Sequence, residues 1–308
     1  MAIVIRLALS GLRNVELVNS VLIGSPSASL ANSALLRHGM PWSPPDWLDP
    51  HGDATPVIEP GPHIREIATR AGHSPDSACP RLVMGGFIDP MIRPMIEAAD
   101  ANDSGLHPHL KLGGLDNHAV GVARIPIGAP RAVAVLEELV ALGARTILIA
   151  GAIGSLQPHV EVGHYVIPSE AVREEGTSYH YAPAEQSALA RGPATLALAE
   201  AAHNGSGQVH QGCVWTTDAP YREFAGKVQA YASKDVLGVD METSALMIAA
   251  AFRGVDLGLI LTVSDLVHRR DWPNIFGTDE YRANCTTMAA IVVQAAKQII
   301  RAYGGDDD

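Results

Sequence analysis

The chain has 308 residues, 47% of them hydrophobic and 18% charged, enough for one large domain or two small ones with a sizeable core. Its formal net charge of -11 argues against a nucleic-acid backbone or an anionic membrane surface as the main partner. The three cysteines show no CxxC spacing, and pairing two would leave one over, so a reducing compartment is the simpler interpretation. No apolar run reaches about 18 residues, and the start lacks the layout of a signal peptide; we predict a soluble cytoplasmic protein.

Composition changes near residue 80. The stretch 40–63, MPWSPPDWLDPHGDATPVIEPGPH, is dense in Pro, Gly and Asp, which predicts ordered loop or linker. We therefore predict an N-terminal Pro/Gly-rich extension over residues 1–80, packed on a main domain over residues 81–308.

The first half of the main domain alternates between strand and helix patterns. RLVMGGFI (81–88) is a strand that runs into a glycine turn, and DPMIRPMIEAAD (89–100) is a candidate helix. HAVGVARIPIG (118–128) is strand-like, and PRAVAVLEELVALG (130–143) has helical periodicity between a starting proline and a stopping glycine. RTILIAG (145–151) is apolar after its first two residues, which is typical of a buried parallel strand.

The second half continues the alternation. GHYVIPSEAV (163–172) and QGCVWTTDA (211–219) are strands, and LGVDMETSALMIAAAFRG (237–254) is a strand followed by a helix. VDLGLILTVSD (255–265) is the next buried strand, and YRANCTTMAAIVVQAAKQIIRAYG (281–304) is a long closing helix. Strands that alternate with helices predict a parallel or mixed sheet covered on both faces.

Polar stretches follow several of the predicted strands: GGFIDP, GAIGSL, TTDAPYRE, VDME and TVSD. In α/β sheets ligands bind outside the carboxyl ends of the strands, so we expect these stretches to meet at one rim. Asp240 and Glu242 stand at the start of a helix, where acids either cap free N–H groups or serve a ligand. Asp265 either caps the loop after its strand or acts as a proton donor.

The glycine-rich stretch GAIGSL (151–156) is predicted to be a strand-to-loop turn. It is either a plain tight turn or a place where backbone N–H groups approach an anion.

Taken in order over about residues 80–303, these segments resemble the nucleoside phosphorylase family, whose members include purine nucleoside phosphorylase, uridine phosphorylase and related nucleosidases. The segment 127–163 resembles the family's central helix, strand and glycine turn, and REEGTSYHYAP (173–183) and VWTTDAPYRE (214–223) resemble its uridine-phosphorylase-like branch. The resemblance implies an α/β fold with three α/β/α layers around a central mixed sheet. It also implies a homo-oligomer, dimer-based and possibly a hexamer.

The resemblance assigns VDME to the sugar and TVSD to the base. It implies that Glu242 accepts hydrogen bonds from the ribose hydroxyls and that Met241 packs against the ribose, with Asp240 where the family usually has glutamate. It implies that Asp265 hydrogen-bonds or protonates the departing base.

Three further residues are implied near the base: Ser264, Thr217 and Tyr221. Pyrimidine-cleaving members use other contacts, and no obvious glutamine–arginine pair follows Tyr221, so the sequence leaves the base open.

The residues that would bind phosphate match the family's pattern least well. The implied contacts are Gly86, Arg93, Gly151 and Ala152, but the usual arginine and hydroxyl of the glycine turn are replaced by Ile149 and Ala152. The first glycine loop is one residue too long before Arg93, which is either an anion contact or a surface helix residue. The nucleosidase branch uses water and an acid in that loop; Asp89 stands about there, or simply caps the next helix.

We predict an enzyme that cleaves the N-ribosyl bond of a nucleoside, by phosphorolysis to free base and ribose 1-phosphate. Two alternatives stay open: a hydrolase of the same bond, and a repurposed or non-catalytic member that binds a nucleoside-like or other small ligand. No cofactor is expected beyond inorganic phosphate as co-substrate, and the histidines show no metal-ligand spacing.

Overall fold

The computed structural model describes residues 56–74, 77–190, 192–205 and 207–303. Within them the helices are α1 (Pro60–Arg70), α2 (Asp89–Ala99), α3 (Ala129–Leu142), α4 (Pro193–His203), α5 (Ala225–Ala232), α6 (Thr243–Arg253) and α7 (Asp279–Tyr303). The strands are β1 (Leu82–Gly86), β2 (Asn102–Asp103), β3 (Leu110–Leu115), β4 (His118–Arg124), β5 (Thr146–Ser155), β6 (Tyr165–Glu174), β7 (Ala188–Leu189), β8 (Val209–Thr217), β9 (Gly238–Asp240) and β10 (Asp256–Leu266). None of the described helices is both long and apolar enough to cross a membrane.

Most of the predicted extension over 1–80 lies outside the described residues, so its role as a unit stays a prediction. The last four residues of the stretch 40–63, which was predicted to be loop or linker, instead begin α1. Pro60 suits the first turn of a helix, and Ile64 and Ala68 are buried against the core.

Helix ends follow the sequence signals. Pro130 lies in the first turn of α3, which stops at Leu142 before Gly143, a residue with a φ of 123°. Gly254 ends α6 with a φ of 67°, a left-handed conformation that glycine adopts without steric cost.

The described strands form one mixed sheet. β1 pairs in parallel with β4 and β5, and β5 pairs in parallel with β10. β10 then pairs antiparallel with β6, β6 in parallel with β8, and β8 in parallel with β9. β9 returns antiparallel to β5, so these five strands close into a ring at one end of the sheet.

The ring corrects one expectation from the sequence. Strands β8 and β9 run opposite to β5 and β10, so their carboxyl ends do not share one rim with the ends of β5 and β10. Closure of the ring, rather than a common strand direction, brings the polar stretches into one region.

Helices cover both faces of the sheet. On β1 and β5 the side chains alternate, so Val83 and Ile149 face a core with α1, α3 and α6, whereas Met84 and Leu148 face a core with α2, α4 and α7. The predicted three-layer α/β/α architecture is confirmed.

The predicted glycine turn is wrong. β5 continues through GAIGS to Ser155, with Gly151 paired to Leu261 and Gly154 paired to Asp265 in β10. The glycines serve close packing: a Cβ on Gly154 would lie 2.5 Å from Cγ2 of Val267 and 3.0 Å from Oδ2 of Asp265.

Candidate active site

Glu242 lies between β9 and α6, and its carboxylate reaches the start of α3. The Gly128 N–H donates to Oε1 of Glu242 at 2.5 Å. Glu242 is only 7% exposed, yet Oε2 accepts no hydrogen bond from the described residues. A buried carboxylate with one oxygen held and the other open can receive a donor from a ligand.

Asp240 is placed differently, although it is only two residues away. Its Oδ1 accepts the Thr216 hydroxyl at 2.7 Å, and its Oδ2 accepts both the N–H and the hydroxyl of Thr243. Thr243 is the first residue of α6, so Asp240 satisfies a free N–H at the helix start. The capping alternative therefore describes Asp240, while Glu242 points away from its own helix.

Both carboxylates are costly to ionise, and the charge of Asp240 adds to the cost for Glu242. Burial raises the pKa of Glu242 to about 8, and the charge of Asp240 adds to the rise. Burial also raises the pKa of Asp240, opposed by hydrogen bonds from Thr243 and Thr216. The two groups therefore titrate together, and they lose their protons at higher pH than ordinary carboxyl groups do.

Asp265 lies one residue before the end of β10 and forms a second polar centre. The Ser264 hydroxyl donates to Oδ1 at 2.7 Å, and the Trp272 indole N–H donates to Oδ2 at 2.8 Å. Trp272 has a φ of 44°, uncommon for a bulky residue, and its side chain is half exposed. The missing Cβ of Gly154 leaves the space that Asp265 occupies.

Two acids that the sequence analysis did not single out lie beside these centres. The charge of Asp218 contributes to the raised pKa of Glu242, and the Gly176 N–H donates to Asp218 at 2.8 Å. Burial, helped by the charge of Asp265, raises the pKa of Glu223 to about 7. No described residue forms a hydrogen bond or ion pair with the Glu223 side chain. Both acids lie in TTDAPYRE, at the end of a predicted strand, and this position was the signal in the sequence that could have identified them. Nothing in the sequence indicated which other acids would lie beside them.

The other predicted sugar and base residues differ in exposure. Met241 is half-buried beside the two carboxylates. Thr217 is buried, and its hydroxyl accepts the Ala219 N–H at 3.3 Å. Tyr221 is 98% exposed and lies on the 3₁₀ turn Pro220–Arg222.

The predicted phosphate residues lie around the end of β1. Gly86 pairs with Ala150 of β5, and a Cβ on Gly86 would lie 2.9 Å from Cβ of Met91 in α2. Arg93 is exposed on α2, without a hydrogen bond or ion pair to another described residue. Gly151 and Ala152 lie within β5 rather than in a turn.

Ile149 is fully buried in the core, where a hydrophobic side chain needs no partner. Asp89 stands in the first turn of α2, is 67% exposed and forms an ion pair with Arg124 at the end of β4. A negatively charged side chain in the first turn interacts favourably with the helix dipole, so an acid at this position has a structural explanation. Over the described ranges, no group of three or more His, Cys, Asp and Glu side chains is arranged to hold a metal ion.

A family model described as the phosphorylase superfamily matches residues 99–302, more than half of the chain. The chain belongs to the phosphorylase superfamily. This confirms the resemblance drawn from the sequence motifs.

Individual members of the superfamily agree. Uridine phosphorylase of Salmonella typhimurium is 30% identical over 200 residues, which cover 60% of this chain and 78% of that protein. Guanosine phosphorylase of Halorubrum lacusprofundi is 34% identical over 137 residues, which cover 44% of this chain and 57% of that protein. The crystal structure of uridine phosphorylase from Vibrio fischeri has a TM-score of 0.64 at 22% identity, covering 72% of this chain and 94% of that one, and shows a common fold.

Proposed function

We propose that the protein is a nucleoside phosphorylase, which transfers the ribosyl group of a nucleoside from its base to inorganic phosphate. The observation that carries the proposal is Glu242, a buried carboxylate with one oxygen held by Gly128 and the other open. Named relatives that act on uridine and on guanosine support phosphorolysis over hydrolysis.

On the sugar side, Glu242 would accept hydrogen bonds from the ribose hydroxyls, and Met241 would pack against the ring. Cleavage of the N-ribosyl bond builds positive charge on the sugar, which a carboxylate stabilises electrostatically. Holding the ring also aligns it for displacement.

On the base side, Asp265 would contact the departing base, with Ser264 and Thr217 beside it and Tyr221 at the open edge. The base leaves with negative charge and needs a proton or a hydrogen bond. Glu223 can carry a proton at neutral pH because its pKa is about 7.

On the nucleophile side, Gly86, Gly151 and Ala152 would line the phosphate, with Arg93 as the guanidinium. Arg93 would have to turn inward from the surface of α2. Asp89 is proposed as the partner of Arg124 and not as an activator of water.

The wider setting is also a proposal. The reaction would need no cofactor beyond phosphate as co-substrate, and the enzyme would be a cytoplasmic homo-oligomer built from dimers. We place the protein in a reducing compartment, in which free cysteines such as the three of this chain persist. Large apolar side chains are exposed around the candidate site, which supports a subunit contact there; they are Ile127, Tyr221, Phe224, Trp272 and Phe276.

Product analysis tests the function. The protein is incubated with purine and pyrimidine nucleosides, with phosphate present and then rigorously removed. We expect free base and ribose 1-phosphate, formed only with phosphate. Free ribose at an undiminished rate without phosphate would identify a hydrolase, and nucleoside binding without turnover would identify a repurposed member.

Asp265→Asn tests the base side. Loss of the carboxylate should lower turnover by about 10²–10⁴-fold, the usual contribution of acid–base catalysis. The loss should be larger on nucleosides with poor leaving bases than on activated ones. Equal losses on both kinds of substrate would indicate that Asp265 only positions the base.

A further inference from the structure

The Asp240 carboxylate already receives three hydrogen bonds from its own chain. Thr216 donates to one oxygen, while the N–H and hydroxyl of Thr243 donate to the other. A carboxylate offers about four acceptor positions, so a ribose hydroxyl would find at most one free.

The hydrogen bonds continue beyond Asp240 through buried groups. The Ser244 N–H donates to Oγ1 of Thr216 at 2.9 Å, and the Ser244 hydroxyl donates to Glu175 at 2.9 Å. The second oxygen of Glu175 accepts the Ser178 N–H at 2.8 Å. All of these side chains are buried.

This network, made of Thr216, Asp240, Thr243, Ser244, Glu175 and Ser178, joins separate parts of the chain. It links β8, β9, the start of α6 and the 3₁₀ turn Thr177–His180 that follows β6. Glu242 lies between Asp240 and Thr243, so it sits on backbone that the network holds from both sides.

We infer that Asp240 is a positioning residue, which orients Glu242 through the start of α6, and not a ligand of the sugar. The inference rests on the proposed function and deepens it. The contrast within the pair supports it: the Asp240 oxygens are both occupied, whereas Oε2 of Glu242 is open.

Asp240 also acts on Glu242 by its charge. The charged groups that face Glu242 are Asp240 on β9 and Asp218 after β8, and the Gly128 N–H faces it from the start of α3. Both acids oppose ionisation of Glu242, so loss of the Asp240 charge should lower the pKa of Glu242.

The test compares Asp240→Asn with the control Asp235→Asn. Asp235 is an exposed acid on the connection before β9, with a φ of 59° that asparagine tolerates. Asp240→Asn should raise the nucleoside KM about tenfold or more, because it disrupts hydrogen bonds to a charged group. Asp235→Asn should leave KM unchanged.

A double-mutant cycle distinguishes positioning from direct contact. If Asp240 acts through Glu242, adding Asp240→Asn to Glu242→Gln should change KM by less than about twofold, since the contact is already lost. The same tenfold cost in both backgrounds would overturn the inference and make Asp240 a sugar ligand.

A titration tests the coupling between Asp240 and Glu242 even if the enzyme proves inactive on nucleosides. The protein is isotope-labelled at the glutamate carboxyl carbon, and the Glu242 signal is assigned by its loss in Glu242→Gln. In Asp240→Asn the pKa of Glu242 should fall by about one pH unit or more. An unchanged pKa would overturn the inference, whereas failure of nucleoside cleavage alone would overturn only the proposed function.

A second variant covers the case in which Asp240→Asn does not fold. Thr216→Val keeps both carboxylates and removes one donor to Asp240. It should raise the nucleoside KM, and this effect should also vanish in the Glu242→Gln background. A full, independent effect there would count against positioning.

Discussion

At the scale of single residues, the site is defined by acids whose surroundings differ. Asp240 and Glu242 have the same exposed fraction, but three donors satisfy the first and one backbone N–H holds the second. Burial of a carboxylate costs free energy unless donors compensate, so Glu242 bears the higher pKa. An incompletely compensated buried acid is a functional-site candidate.

Glu242→Gln should make stability less dependent on pH. A raised pKa means that the folded chain keeps a proton that the unfolded chain releases, so the free energy of unfolding falls as pH rises from about 4.5 to about 8. Glutamine keeps an oxygen for Gly128 without the charge. Denaturant unfolding at pH 5 and above pH 8 should find the variant more stable at the higher pH only, by about 1.4 kcal/mol or more. Equal differences at both pH values would contradict the shift.

Glu223→Gln should remove an inflection near pH 7. Burial and Asp265 hold the pKa of Glu223 at about 7, so its proton is lost just above neutral pH. The affinity for a nucleobase, measured from pH 5 to 9, should change through that range in the parent and stay flatter in the variant. Glu170→Gln, on β6 away from these acids, is the control and should keep the parent profile. An unaltered inflection in Glu223→Gln would assign it to another group.

At the scale of elements, the close approach of β5 and β10 near Gly154 determines where Asp265 lies. The missing side chain of Gly154 lets Asp265 and Val267 lie against β5 at the end of β10. Glycine in a strand interior usually weakens the strand, and it persists where another group approaches closely. Here that group includes the carboxylate proposed for the base.

Gly154→Ala should therefore disturb both stability and the base side. The added carbon would lie 2.5 Å from Val267, an overlap that typically costs about 1–3 kcal/mol. Gly226→Ala in α5 is the matched control, because no atom lies within 4 Å of its added carbon. Thermal unfolding should place the control within about 1 kcal/mol of the parent. A Gly154→Ala protein with parental stability and parental base affinity would refute the packing argument.

At the scale of the whole molecule, the negative charge of the protein opposes the binding of phosphate, which is also negative. The chain has a formal net charge of -11, and the region of the candidate site holds Asp218, Glu223, Asp240, Glu242 and Asp265. Phosphate must be desolvated there, and a buried anion without fixed donors is very costly. Ile149 is buried and apolar, so it offers no hydrogen-bond donor to a phosphate.

We therefore predict weak use of phosphate, with a KM above about 1 mM, the upper end of common values. Arg93→Ala should raise this KM further if the guanidinium turns toward the anion. Lys297→Ala, on α7 and paired with Asp116, is the control for a lost positive charge. Initial rates at varied phosphate concentration give the phosphate KM of the parent and of each variant. A parental KM far below 1 mM would mean that donors other than Arg93 and the predicted glycine-stretch residues hold the anion.

The sequence by itself determined the order and type of the main elements, although it did not predict the helices α1, α4 and α5 or the strands β2, β3 and β7. Apolar periodicity, prolines at helix starts and glycines at helix ends are local signals, and they predicted α3, α6, β10 and the layered fold. Motif order was also enough to identify the superfamily. The acids of VDME and TVSD could be named as candidates because acids at strand ends stand out among apolar neighbours.

Only the tertiary structure decided which groups each acid contacts. The bonds from Thr216 to Asp240 and from Gly128 to Glu242 join residues 24 and 114 positions apart, and no local pattern encodes such contacts. The same holds for β5, whose glycine stretch has the composition of a turn but is held as a strand by pairing with β10 and β9. Backbone pairing and burial depend on distant segments, so they override local propensity wherever the two disagree.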